Sequence, residues 1–246
     1  MSASRKRLWG IGFIVFLIAA WQIIAVLLNK SFLLPSPAEV VSNIWENRVE
    51  LFTVHFPATM QAVVIGLAIS VAVGIVFAVI MNADERAEKA LYPILTVSQT
   101  IPTMCIAPVL VLWFGYSLTT RVIVVVLVNF FTVAINVFDG FKSVSRQNTE
   151  LMLTFNASKS QRLFMLEFPT AMPKLFTALK ISVPWSMIGA AVAEWLGAPY
   201  GLGTYSRSMM ASLDAAGLLA PLVILTVTAL IANAILAIIE KKVLLR

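Results

Sequence analysis

The chain of 246 residues carries one cysteine, Cys105, and one histidine, His55, and only 12% of its residues are charged. A single cysteine excludes an internal disulfide framework and a metal site built on cysteines. A single histidine excludes any chemistry that needs two. No Gly-x-x-x-x-Gly-Lys-Ser/Thr run is present, so the chain has no phosphate-cradling loop of its own. Soluble domains carry about 25% charged residues, and a deficit of this size leaves too little to cover a water-facing surface.

Apolar residues stand in place of charge, at 60% of the chain. A single soluble core of this size cannot bury that much, whereas a bilayer can. Continuous apolar runs cover residues 8–28, 59–81, 91–114, 122–138, 176–196 and 216–239, each within the roughly 17–25 residues that a spanning helix needs. In lipid each run must satisfy its own backbone, so helices are expected; a barrel would alternate polar and apolar residues in short strands. The sequence therefore predicts an all-α integral membrane protein, one transmembrane domain over residues 1–246 with six transmembrane helices. The first run is longer than the core of a signal peptide and meets Asn29-Lys30 without a small-residue cleavage site, so it reads as an uncleaved span.

Loop charge sets the orientation. With the N-terminus in the cytoplasm, the inner side collects Arg5, Lys6, Arg7, Arg86, Lys89, Lys142, Arg146, Lys159, Arg162, Lys174, Lys180, Lys241, Lys242 and Arg246. The outer side keeps only Lys30, Arg48, Arg121 and Arg207. This is the positive-inside pattern, and it places both termini in the cytoplasm. The net charge of +6 then reflects topology and anionic lipid head groups, and nucleic acid is not an expected partner.

One inner connection, residues 140–175, is long without being disordered in composition. Ser143-Val144-Ser145-Arg146 reads as a turn, and Glu150 to Lys159 alternates polar and apolar residues at near-helical spacing, with Thr149 as a candidate cap. Pro169 and Pro173 are expected to limit that helix and turn the chain back to the membrane. Such an elbow either lies on the membrane surface or docks as a short helix in the groove of a soluble partner.

The residues from Glu150 through Ser158, followed by Phe168-Pro169-Thr170-Ala171-Met172-Pro173, resemble the cytoplasmic "EAA" loop of ABC importer permeases. Leu33-Leu34-Pro35-Ser36-Pro37-Ala38-Glu39-Val40 is similar to the segment after the first span in the nitrate, sulfonate, taurine and pyrimidine-precursor subgroup. Gly197-Ala198-Pro199-Tyr200-Gly201-Leu202-Gly203 is similar to that subgroup's loop after the fifth span. Together these motifs extend over nearly the whole chain in order. Leu151 and Met152 replace the usual two alanines and Asn156 the usual glycine; asparagine tolerates a left-handed backbone better than other residues with a side chain.

The resemblance implies a permease subunit of an ATP-driven importer in the prokaryotic cell membrane. It implies a homodimer, two copies of a separate cytoplasmic ATPase subunit and an extracytoplasmic binding protein. Hydrolysis would then belong to the ATPase, leaving this chain without enzymatic activity or a cofactor. Glu150, Asn156, Ala157, Ser158, Lys159 and Arg162 are the expected ATPase contacts, against the plainer reading of a solvated charged face. Trp113-Phe114-Gly115-Tyr116 and Asn129-Phe130-Phe131 resemble members that move thiamine-type pyrimidine precursors, with nitrate, sulfonate, taurine and riboflavin relatives sharing much of the pattern.

Within the spans, Glu194 is the one acidic candidate at depth. It either faces the bundle interior as a functional carboxylate or pairs structurally near the outer end. Gln99, Thr103, Ser186 and Glu194 are the expected lining of a translocation path, with Pro102 and Pro108 bending the third span; packing alone is the competing account. Trp113 and Trp195 read as interfacial anchors. Ala62, Gly66, Ser70, Gly74 and Ala78 recur every four residues and form a small-residue stripe, for contact within the bundle or between copies. His55 reads as a lone exposed residue on the outer side. An ion-coupled secondary transporter is the alternative class, but such carriers show internal repeats and midplane ion sites, and neither is evident here.

Overall fold

The computed structural model describes residues 3–244 and is all-α. The elements are α1 (Ala3–Leu28), α2 (Pro37–Glu46), α3 (Arg48–Ala83), α4 (Glu85–Ser98), α5 (Thr103–Phe114), α6 (Leu118–Lys142), α7 (Arg146–Thr154), α8 (Lys159–Trp195), α9 (Leu202–Ala211) and α10 (Ala215–Leu244). Four of them, α3, α6, α8 and α10, are long and apolar enough to cross a membrane. Gly12–Leu28 of α1 and Met104–Phe114 of α5 are shorter apolar helices at the expected first and third spans.

Helix α6 is the central element, and small residues explain how closely its neighbours approach. Every member of the stripe Ala62, Gly66, Ser70, Gly74 and Ala78 is buried, and the stripe faces α6 of the same chain. A β-carbon on Gly66 would sit 2.6 Å from Val125 Cβ, and one on Gly74 2.6 Å from Val133 Cβ. The matched steps of eight residues show that α3 and α6 run parallel. On its other side α6 meets α8 in the opposite sense, with Gly140 against Ala171 and Gly189 against Val125. Without a hydrophobic force between helices in lipid, close backbone contact of this kind supplies much of the association.

The core has an outer part and an inner part. Leu51, Val63, Val125, Met187, Leu202 and Tyr205 belong to the outer one. Met81, Leu95, Val133, Phe138, Phe141 and Ala171 belong to the inner one. Helix α10 is tied to α8 by the Lys180–Glu240 ion pair. Helix α1 stands apart, with Ala25 buried and the Trp21 indole donating to the Pro35 carbonyl at 3.0 Å. Its exposed Phe13, Phe16, Ile23 and Leu27 suit a lipid-facing helix.

Three expectations need correction. The third span is not one helix: α4 ends at Ser98, α5 begins at Thr103, and Pro102 between them is extended at φ −63° and ψ 118°. Proline has no N–H for Ser98 and disfavours a helical residue before it, so the ladder breaks. The helix that carries the fifth span begins far earlier than expected, because α8 is continuous from Lys159 to Trp195. Pro169 lies in the first α-helical turn after a π turn at Leu163–Glu167, and Pro173 lies within the helix that follows. The prolines are absorbed and do not turn the chain. The second span likewise starts early, at Arg48, through a π turn at Leu51–His55.

Candidate functional site: cytoplasmic elbow, outer clasp and apolar groove

The elbow is built from local capping rules. Ser145, not Thr149, caps α7, its hydroxyl accepting from Asn148 N at 3.3 Å. Thr149 lies inside the helix. The chain reverses at Asn156, whose φ of 52° is left-handed, so asparagine does there what glycine does in the resembled motif. Ala157 N closes the turn by donating to Met152 O at 3.0 Å. Ser158 and Gln161 then form a capping box that opens α8.

Of the expected contact residues, Glu150 pairs with Arg146 one turn earlier at 2.7 Å on the surface. Asn156, Ser158 and Lys159 are exposed, while Ala157 and Arg162 are half-buried. All six lie along one corner of the molecule. Sequence reasoning passed over the apolar part of that corner: Leu151, Leu153, Phe155, Phe164 and Met165 are all exposed, Phe155 at 75%. Exposed large apolar side chains grouped in this way are the kind of surface through which proteins associate. The elbow is fixed to the bundle by Asn82, whose amide donates to Glu167 at 2.6 Å, and by Phe141 packing on Phe168.

At the outer end Glu194 is fully buried. Its Oε2 accepts from Thr59 Oγ1 at 3.0 Å and from Gly203 N at 2.9 Å. Arg121 Nη1 stands 3.5 Å from Oε1 and donates to the Ala58 carbonyl at 3.1 Å. The loop over this pair is held in turn, with Leu202 N donating to Thr59 Oγ1 at 2.8 Å and Gly201 N to His55 Nδ1 at 3.1 Å. Gly201, at φ 145°, lies directly against the Glu194 carboxylate, leaving no room for a β-carbon, and Gly203 lies equally close to the Ala191 carbonyl.

Two further expectations fail here. His55 is buried, with Gly201 on one side and Glu50 Oε1 3.2 Å from its Nε2. Arg121 is drawn in from the outer loop and is also buried. A buried carboxylate requires a partner, and an arginine in the first turn of α6, with Gly201 and Gly203 soon after Glu194, was the signal that such a partner existed.

The remaining path candidates, Ser186, Gln99 and Thr103, lie on different elements. Ser186 is fully buried against α6, its hydroxyl accepting from Asn129 Nδ2 at 3.0 Å. Gln99 is exposed at the break between α4 and α5. Thr103 opens α5, and its side chain lies outside the described residues. On the face of α8 away from Ser186, an apolar groove of about 760 Å³ runs between α5, α8 and α10. Met104, Pro184, Ile188, Trp195, Leu222 and Asn233 mark its extent, so Trp195 contributes to a cavity wall as well as to the outer interface.

Residues 70–245 match the family of binding-protein-dependent transport system inner membrane components. The formylaminopyrimidine transport permease protein ThiX of Halalkalibacterium halodurans is 44% identical over 226 residues, covering 92% of this chain and 90% of that one. The riboflavin transport system permease protein RibX of Chloroflexus aurantiacus is 31% identical over 77% of this chain and 72% of its own length. The taurine transport system permease protein TauC of Escherichia coli is 27% identical over 83% and 77%. An inward-facing structure of the MetNI methionine ABC transporter shares the fold, with a TM-score of 0.64 at 18% identity over 84% of this chain and 97% of that one. The chain therefore belongs to the binding-protein-dependent inner-membrane components, the permease subunits of ABC importers, which are membrane-spanning carriers and not themselves enzymes.

Proposed function

We propose that this permease works as a homodimer that admits a thiamine-type pyrimidine precursor, driven by two copies of a cytoplasmic ATPase subunit and supplied by an extracytoplasmic binding protein. The observation that carries the coupling is the exposed apolar elbow at Leu151, Leu153 and Phe155, joined through the tight turn at Asn156 to the long helix α8. A short helix with an apolar face suits insertion into a groove of a soluble partner. Glu150, Asn156, Ala157, Ser158, Lys159 and Arg162 surround that face and supply its polar rim.

The continuity of α8 gives the mechanism its mechanical link. A displacement of the elbow is carried along one helix from Lys159 to Trp195, past the groove and up to Glu194. ATP drives transport only if the ATPase-bound states favour one arrangement of this lever over the other. A loaded binding protein on the outer face biases the same equilibrium from the opposite end. The outer surface offers it α2, α9 and the clasped loop between α8 and α9. Hydrolysis is assigned to the separate subunit. The identity of 44% to a formylaminopyrimidine permease, against 25% to nitrate and 27% to taurine permeases, supports the substrate class.

The test is to co-express the chain with a candidate ABC ATPase subunit from the same organism and extract both in mild detergent. A stable complex whose ATPase rate rises on adding binding protein loaded with formylaminopyrimidine is the expected result. Absence of association, together with uptake driven by an ion gradient, would overturn the reading in favour of a secondary carrier.

A further inference from the structure

The break in the third span lies about halfway along the central helix α6. Leu95, before it, packs in the inner core with Val133 and Phe138 of α6. Ala107, after it, packs with Val124 of α6 and Ala193 of α8. Residues 99–102 therefore sit at the level of α6 between Val124 and Val133, halfway along a helix that runs from Leu118 to Lys142.

Backbone in this state is not compatible with lipid contact. Thr100 N and Ile101 N donate three residues back, to Val97 O and Ser98 O, the second at a long 3.4 Å, and Pro102 has no N–H. Gln99, Thr100, Ile101 and Pro102 are all exposed. Irregular backbone at membrane depth is tolerated only where protein buries it or where it lines a water-filled cavity. The apolar groove begins at Met104, two residues beyond the break, and reaches Asn233 of α10, whose buried Oδ1 has no hydrogen-bond partner. A second interruption reinforces the polarity, because Pro108 has no N–H to offer the Met104 carbonyl.

The chemistry of this site is neutral. None of the residues lining the groove is charged, and none in the segment 99–102 is. The carbonyl end of α4 meets the amide end of α5 at the break, so acceptors and donors are offered side by side and the opposite partial charges of the two helix ends offset each other. A site for sulfonate or nitrate would instead present lysine or arginine.

We infer that residues 99–102, with Asn233, form a contact site within the translocation path for a flat, neutral, hydrogen-bonding heterocycle and not for an anion. The inference rests on the permease reading above and assigns its substrate contact to a backbone break. Ring nitrogens and exocyclic amines match mixed donors and acceptors, and the apolar walls at Met104, Ile188 and Trp195 suit the ring faces.

The sole native cysteine makes the test direct. In a Cys105→Ser background, single cysteines are placed at Gln99 and Thr100 and, as controls, at Val64 and Ile238, which are exposed on apolar stretches of α3 and α10. The assembled complex with binding protein is treated with a water-soluble methanethiosulfonate. Positions 99 and 100 are expected to react roughly tenfold or more faster than the controls, since the thiolate forms only in contact with water. Formylaminopyrimidine delivered by the binding protein should slow that reaction, and an alkanesulfonate at equal concentration should not. Unreactive positions 99 and 100 in a complex with stimulated ATPase activity would refute the site while leaving the permease reading intact. Reactivity that neither solute changes, or that both slow equally, would refute the neutral-substrate assignment. Failure to assemble any stimulated complex would instead count against the permease coupling on which the site depends.

Discussion

Thr59 of α3 and Glu194 of α8, 135 residues apart in sequence, share a buried hydrogen bond of 3.0 Å. The same Glu194 oxygen takes Gly203 N, and the same Thr59 hydroxyl takes Leu202 N. Two spans and an outer loop are thus pinned at one point, and the charge there is balanced by Arg121.

Removing one member of that pair leaves the other buried and unbalanced. Glu194→Ala is expected to destabilise the protein by about 3–5 kcal/mol, the usual cost of breaking a buried ion pair. Arg121→Ala should cost a similar amount, and the double variant less than the two together. Thermal unfolding in detergent measures all three. Glu194→Gln keeps an acceptor for Thr59 and Gly203, so it should be the mildest of the series. A larger loss of uptake than of stability in Glu194→Gln would point to a carboxylate that serves the path.

Close approach of α3 and α6 depends on glycine. Gly74→Ala would place its β-carbon 2.6 Å from Val133 Cβ and 2.8 Å from the Phe130 carbonyl. One of those neighbours is main chain and cannot rotate away. A loss of about 1–3 kcal/mol is expected from overpacking of this kind. Gly12→Ala, with open space around it, should be neutral in the same unfolding assay.

The elbow separates assembly from folding. Phe155→Asp, or Ala157 and Ser158 replaced together by arginine, should abolish co-purification with the ATPase. The permease alone should remain in the membrane with an unchanged melting temperature, because Phe155 touches solvent over 75% of its surface. Undiminished co-purification would count against this corner as the contact.

The outer helix α2 carries a pH-dependent cap. Glu39 accepts from Ser31 Oγ at 2.6 Å and from Ser36 N at 2.6 Å, and the Ser31 hydroxyl, followed by the Ser36 main-chain and side-chain bonds, holds its carboxyl below the usual range. A depressed carboxyl contributes stability above its unfolded pKa and loses it as pH falls through the folded value. The difference in melting temperature between the protein and Glu39→Gln should therefore be full near neutrality. It should shrink as pH drops below the ordinary carboxylate range. Ser36→Ala, which removes the other half of the capping box, should cost about 1 kcal/mol.

The helical membrane character, the small-residue stripe and the turn at Asn156 were legible in the sequence, because each depends on short-range rules. Apolar length, four-residue spacing and tolerance of a left-handed backbone are properties of the residues themselves. The split of the third span was only half legible: Pro102 was visible, but an isolated proline often merely bends a membrane helix. Whether Pro102 bends or Pro169 is absorbed depends on what neighbouring helices offer the freed carbonyls.

The sequence by itself determined that this chain is an α-helical membrane protein, how its basic residues divide among the loops, and where the elbow lies along the chain. These follow from transfer energies and charge counts summed over segments. The tertiary structure alone decided that Glu194 is clasped by Thr59, Gly203 and Arg121, that His55 is enclosed, and that Ser186 turns from the groove while Gln99 stands exposed at the break in the third span. Those outcomes depend on helix rotation and on partners more than a hundred residues away, and hydropathy carries no information about either.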